Sequence, residues 1–186
     1  GKFKLGYNSG KWNVELNYLY SNSRVGIPGH THDALATPES FMLDEQERGF
    51  SLPHQKIQNH FANIKTSYFI SSKHKMEFYL NHGYNNLKEF EEKIFTPGID
   101  MYLNATSFQA RHHWHPHNNL QVLSGIQASA QSNNNGVTAE ERLIDDSDQY
   151  DVGLYSSLSY DFGGLKMNTV IRVDQRAVRS SSFNND

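Results

Sequence analysis

Four histidines crowd the stretch RHHWHPHNNLQ (111–121), at His112, His113, His115 and His117. Imidazole is the commonest side chain to ligate a metal, so their spacing decides what they can do. Successive side chains of an extended chain point to opposite faces. His112 and His113 therefore cannot hold one ion together, whereas His113 and His115 share a face and could take a loosely bound surface metal. The simpler reading is a polar, interfacial turn beside Trp114. A better metal pattern is GIPGHTHD (26–33), where His30, His32 and Asp33 open a long loop. Flexible backbone there lets ligands two residues apart converge. Two imidazoles and a carboxylate suit zinc or a similar divalent ion. They leave a position for water, a chelator, or a further histidine such as His54 at the far end of the loop. His30, His32 and Asp33 are the candidate substrate or metal residues.

Other polar groupings carry less chemistry. EERLIDDSDQ (140–149) has paired aspartates that could bind calcium, but it lacks the spacing of an EF-hand loop. Glu89, Glu91, Glu92 and Lys93 read as a solvated charge run. Arg172, Asp174 and Arg176 alternate with apolar residues, so they fall on one face and are expected to form a charge ladder along a lumen wall. Cysteine is absent, which removes disulfides, thiolate ligands and cysteine nucleophiles. No Ser/His/Asp set or carboxylate pair stands out, and no enzyme is expected.

The 186 residues, enough for one domain, hold 17 basic and 20 acidic side chains. That near balance gives no reason to expect a nucleic-acid partner. Mean hydropathy is low, at -0.70, yet aromatics reach 12%. Disordered chains are depleted in aromatics, so disorder is a poor explanation. No stretch approaches the ~20 apolar residues of a membrane-spanning helix. The opening GKFKLGYNSG alternates at once and resembles no leader, so a mature region or a piece of something longer is expected.

Elements to position these residues follow from period-two alternation, the mark of strands with one apolar face. In WNVELNYLY, Trp12, Val14, Leu16, Tyr18 and Tyr20 oppose Asn13, Glu15 and Asn17. The same alternation sets Met76, Phe78 and Leu80 against Glu77 and Asn81, and Tyr150, Val152, Leu154 and Leu158 against Asp151 and Gly153. MYLNATSFQARHHW is ambiguous and is taken as a strand from its flanks. Eight strands are predicted, near 2–8, 12–25, 56–70, 75–89, 101–115, 119–132, 149–161 and 165–177. NSGK, SSKH, HPHN and FGGL are short turns, and they alternate with long loops near 26–55, 90–100 and 133–148. An antiparallel up-and-down meander with unlike ends is expected, all-β throughout.

Two physical readings compete. A soluble β-rich binding module would pack its apolar faces together, with strands typically ~5–6 residues long. A transmembrane barrel, or part of one, would need ~9–11 residues per crossing and a polar lumen side. The longer strands and polar second face favour the barrel. Tyr7, Trp12, Tyr68, Phe69, Phe78, Trp114, Tyr160 and Phe162 lie near the short turns, as an interfacial aromatic girdle would. A small structural eight-stranded outer-membrane barrel is a further alternative.

Residues 53–91, 120–162 and the strand IRVDQR (171–176) resemble segments of TonB-dependent outer-membrane receptors, particularly those of Bacteroidetes. The resemblance implies part of a barrel of about 22 strands, normally filled by an N-terminal plug and driven by the TonB energy-coupling system. It implies uptake of a scarce nutrient across the outer membrane of a Gram-negative bacterium, with lipid around the barrel. Metal importers of that family carry histidine-rich outer loops, so zinc or a siderophore-iron chelate is the expected cargo. The chain departs from the family in having no plug, no TonB-box-like segment and no terminal aromatic strand. Residues 1–186 are therefore expected to be a section of barrel whose partner plug lies elsewhere.

Overall fold

A computed structural model describes residues 1–27, 53–91, 93 and 95–181. Eight strands follow one another in the chain: β1 (Lys2–Asn8), β2 (Trp12–Gly26), β3 (His54–Phe69), β4 (His74–Phe90), β5 (Ile99–His117), β6 (Leu120–Asn135), β7 (Ser147–Asp161) and β8 (Lys166–Ser180). They form one sheet in the order β1 to β8, every pair antiparallel. No helix occurs among the described residues. The all-β meander expected from alternation is the observed architecture. The ambiguous segment is indeed strand β5.

Turn chemistry sets the register of each hairpin. Ser9 and Trp12 exchange backbone hydrogen bonds around Gly10 and Lys11, and Ser71 and His74 do the same around Ser72 and Lys73. At the β7–β8 turn Gly163 adopts φ of 91°, a conformation L side chains rarely take, and its N–H donates to Asp161 Oδ1. The β5–β6 turn corrects the sequence reading. HPHN is not the turn: β5 runs on to His117 and the tip is Asn118–Asn119. A β-bulge between Trp114 and His117 absorbs the shift. Asn119 and its neighbour supply the polar tip that Pro116, without an N–H, cannot.

Strict alternation then separates two faces. On the apolar face, one register row reads Leu5, Leu16, Ile64, Leu80, Phe108, Ala128 and Val152, continuous from β1 to β7. Aromatic side chains bound this band at both ends. Toward the short turns, Trp12 stacks on Tyr68 at 4.3 Å, and His74 stacks on His112 and Trp114. Toward the long loops, Tyr18, Tyr20, His60, Tyr84 and Tyr102 form a second belt, with Tyr18 Oη and His60 Nδ1 sharing a hydrogen bond of 2.6 Å. Phe69 does not join the first belt as expected. It follows Tyr68 in the strand, so it points to the polar face, where Lys75 lies 5.6 Å over its ring.

Beyond the second belt the same face turns polar and closes on a buried charge. Asp100 is 2% exposed and accepts from Lys88 Nζ at 3.0 Å, Asn86 Nδ2 at 2.9 Å and Tyr102 Oη at 3.0 Å. Burial opposes the charged form of Lys88, but its hydrogen bond and attraction to Asp100 outweigh that and hold its pKa above the ordinary lysine value. Gly136 N donates to Asp100 O and Glu141 N to Gly98 O, which ties the two long connections together. Glu89, read as part of a solvated run, is instead in β4, where Gln55 Nε2 donates to it at 2.6 Å.

The sheet has no core of its own. Ile99 is the single buried hydrophobic residue among those described, whereas Leu5, Leu154, Ile171 and Val173 are more than half exposed. Among the described residues each strand touches only its chain neighbours, so β1 and β8 are the edges of the sheet.

Candidate functional site

The polar face carries the chemistry. Arg172, Asp174 and Arg176 share it, as alternation required. Arg172 grips Asp174 through two bonds of 2.7 Å, and Arg176 Nε reaches across to Asp151 Oδ1 at 2.5 Å. Asp151 Oδ2 also accepts from Gln149 Nε2 and Ser129 Oγ. The ladder does not end at the last strand. Arg172 lies 5.8 Å over the Tyr155 ring, whose hydroxyl accepts from Gln109. Gln109 in turn accepts from Arg111, and Arg111 sits 5.0 Å over Tyr79. Tyr79 donates to Glu77, which also pairs with Lys75 at 2.7 Å and His113 at 2.8 Å.

One polar network thus crosses from β8 to β4. Sequence reasoning found its β8 end and missed the rest. Glu77, Tyr79, Gln109, Arg111, His113 and Tyr155 all fall on the polar side of the alternation, but which of them meet depends on register.

Glycine makes part of this wall. A Cβ on Gly125 would sit 2.5 Å from Tyr155 Cζ and 2.8 Å from Ala110 O. The bare backbone is what lets Tyr155 lie across β6, an aromatic cover for a half-buried strand glycine. Phe61 covers Gly83 in the same way, with ring carbons 3.3 Å from where a Cβ would stand.

Between the charged network and the long-loop end, the polar face of β2 to β5 is neutral, with Lys2 of β1 at its margin beside Leu19. Asn17 Nδ2 donates to Asn63 Oδ1, Asn63 to Asn81, and Asn81 to Ser107 Oγ, an amide ladder along one register row over four strands. Ser107 pairs in turn with Ser129. A second, shorter ladder runs from Asn85 to Asn59 to Ser21. The row between them holds Leu19, Phe61, Gly83 and Ala105. A hollow of about 480 Å³ opens there.

The metal candidates fare differently. His30, His32 and Asp33 lie outside the described residues. Among the described residues no three histidines, aspartates or glutamates gather as a metal would need. His112 and His113 do point apart: His112 Nε2 lies 3.0 Å from His74 Nδ1 on the apolar face, and His113 bonds Glu77 on the other. The bulge interrupts alternation just beyond, at His115. His54 is buried against Phe90, their rings 4.9 Å apart. Asp146, in the acidic loop, accepts from the backbone and side-chain nitrogens of Asn135 rather than facing an open cation site.

What fold and site together define is a one-layer antiparallel sheet with a belted apolar face and a networked polar face. No protein-family model matches the chain, and neither a curated protein nor a solved structure does.

Proposed function

We propose that the chain is barrel wall from an outer-membrane receptor for a small nutrient, with the apolar face against lipid and the polar face lining the interior. The observation that carries this reading is the apolar band bracketed by aromatic belts at both ends. Tyr150 to Tyr160, Trp12 to Tyr20 and His74 to Tyr84 each span close to the ~9–11 residues of a transmembrane strand. Energetics point the same way. Exposing an apolar side chain forfeits ~1.5–3 kcal/mol, and a folded domain is stable by only ~5–15 kcal/mol. The apolar side chains on this face are numerous enough that leaving them in water would exceed that margin. The edges at β1 and β8 fit a sheet continued by further strands, with a plug and TonB coupling supplied by parts of the protein beyond this stretch.

The alternative of a soluble module needs the apolar face packed on protein, and among the described residues nothing packs on it. Metal or metal-chelate cargo rests on His30, His32 and Asp33 alone. The test of location is partition into the detergent phase with heat-modifiable migration. A monodisperse monomer in plain buffer would overturn it.

A further inference from the structure

Three cations stand in one register row. Arg24 of β2 is opposite Lys56 of β3, and Lys56 is opposite Lys88 of β4. They share the apolar face, two rows past Tyr20, His60 and Tyr84 on the same strands. Neighbouring strands lie ~4.8 Å apart, and like charges directly opposite one another destabilise a sheet. Asp100, next along the row, takes up Lys88. Arg24 has a contact of its own. Lys56 stands between the two cations, exposed, and among the described residues no carboxylate reaches it. An anion laid against the row would relieve the repulsion.

The place of the row narrows the choice of anion. It lies one step beyond Asn22, Gln58, Asn86 and Tyr102, two residues or ~7 Å farther from the apolar band. Each headgroup zone of a bilayer is ~5–7 Å deep, and interfacial aromatics mark its inner boundary. The cations therefore stand at headgroup depth, where long basic side chains can cross apolar surface and keep their charge at the polar boundary. The inward residues at this level, Ser23, Ile57, Leu87 and Met101, carry no charge, so the row does not serve the interior. A phosphomonoester carries a charge of about −1.5 to −2 at neutral pH and offers three acceptor oxygens, enough to bridge neighbouring cations. A phosphodiester brings less charge, and a zwitterionic headgroup brings none net. We propose that Arg24, Lys56 and Lys88 form an outward-facing site for the phosphomonoester headgroup of a membrane lipid, with Lys56 at its centre. The inference rests on the reading of the apolar face as lipid-facing, and it concerns the outer wall rather than any cargo within.

The test uses the full chain refolded in detergent micelles, with native mass spectrometry against dioleoyl phosphatidic acid, phosphatidylglycerol and phosphatidylcholine. Inorganic phosphate is added as competitor, to separate a lipid headgroup from free phosphate. The expected result is saturable binding of phosphatidic acid, tighter than that of either other lipid and untouched by equimolar inorganic phosphate. Lys56→Gln should weaken it by about fivefold, and Lys56→Arg should keep it. Lys65→Gln, the same loss of charge on the polar face, should leave it unchanged. Circular dichroism and heat-modifiable migration confirm that each variant folds. Four outcomes overturn the proposal: phosphatidic acid binding no tighter than phosphatidylglycerol, unchanged binding in Lys56→Gln, an equal loss in Lys65→Gln, or displacement by equimolar inorganic phosphate. Any of these in a chain that still partitions into detergent leaves the receptor reading standing. A chain that folds as a monomer in plain buffer overturns that reading first, and this site with it.

Discussion

Asp100 shows how a charge can be enclosed without being isolated. With Lys88, Asn86 and Tyr102 around it, removing the carboxylate strands a lysine among groups built to serve an anion. Breaking a buried pair from one side typically costs ~3–5 kcal/mol. Asp100→Ala should lower stability by about that much in denaturant titration, and Asp100→Leu combined with Lys88→Met should cost clearly less. Gly125 makes a steric prediction. A methyl group there meets both Tyr155 and the Ala110 carbonyl, so Gly125→Ala should destabilise by ~1–3 kcal/mol, the usual cost of overpacking, in the same titration. The loop histidines make a chemical one. If His30, His32 and Asp33 bind zinc, binding weakens as pH falls through about 6.5, because imidazole must be neutral to ligate. Calorimetry should show His30→Ala with His32→Ala losing zinc while the β-sheet signal stays constant. Equal affinity in both would end the metal proposal.

At the scale of strands, alternation was enough for all but β5, which was placed from its flanks. The eight predicted strands match the observed ones to within about three residues at each end, because a period of two states which side chains share a face without reference to anything distant. Turn identity was less legible: HPHN looked like a turn, yet Asn118–Asn119 makes it, since a bulge cannot be read from composition. The network from Glu77 to Arg176 and the amide ladders were illegible for a different reason. They depend on cross-strand register, which brings Asn17, Asn63 and Asn81 into one row from residues 46 and 18 apart in sequence. The belt at Tyr20, Tyr84 and Tyr102 escaped notice likewise, because its members sit at the far ends of hairpins. One strand gives a direct test of face assignment. Ile126 and Gln127 are adjacent in β6 and point opposite ways. In a bilayer Ile126→Arg should cost ~2–4 kcal/mol, as for cations on the lipid face near mid-membrane. Gln127→Arg should cost far less by the same refolding titration in vesicles.

The molecule as a whole is a sheet whose two faces ask for different surroundings and whose edges at β1 and β8 ask for more strands. Unpaired edges invite association, so the chain by itself should form oligomers in detergent that a longer barrel would not. The central claim, that lipid covers the apolar face, is open to one direct measurement because both tryptophans, Trp12 and Trp114, lie in the same belt near the short turns. Fluorescence of the chain refolded into vesicles is read against bromine-labelled lipids of graded depth and against aqueous iodide. The account predicts strong quenching by shallow bromines, weaker quenching by deep ones and little by iodide. Full quenching by iodide, with none by any brominated lipid, would contradict it.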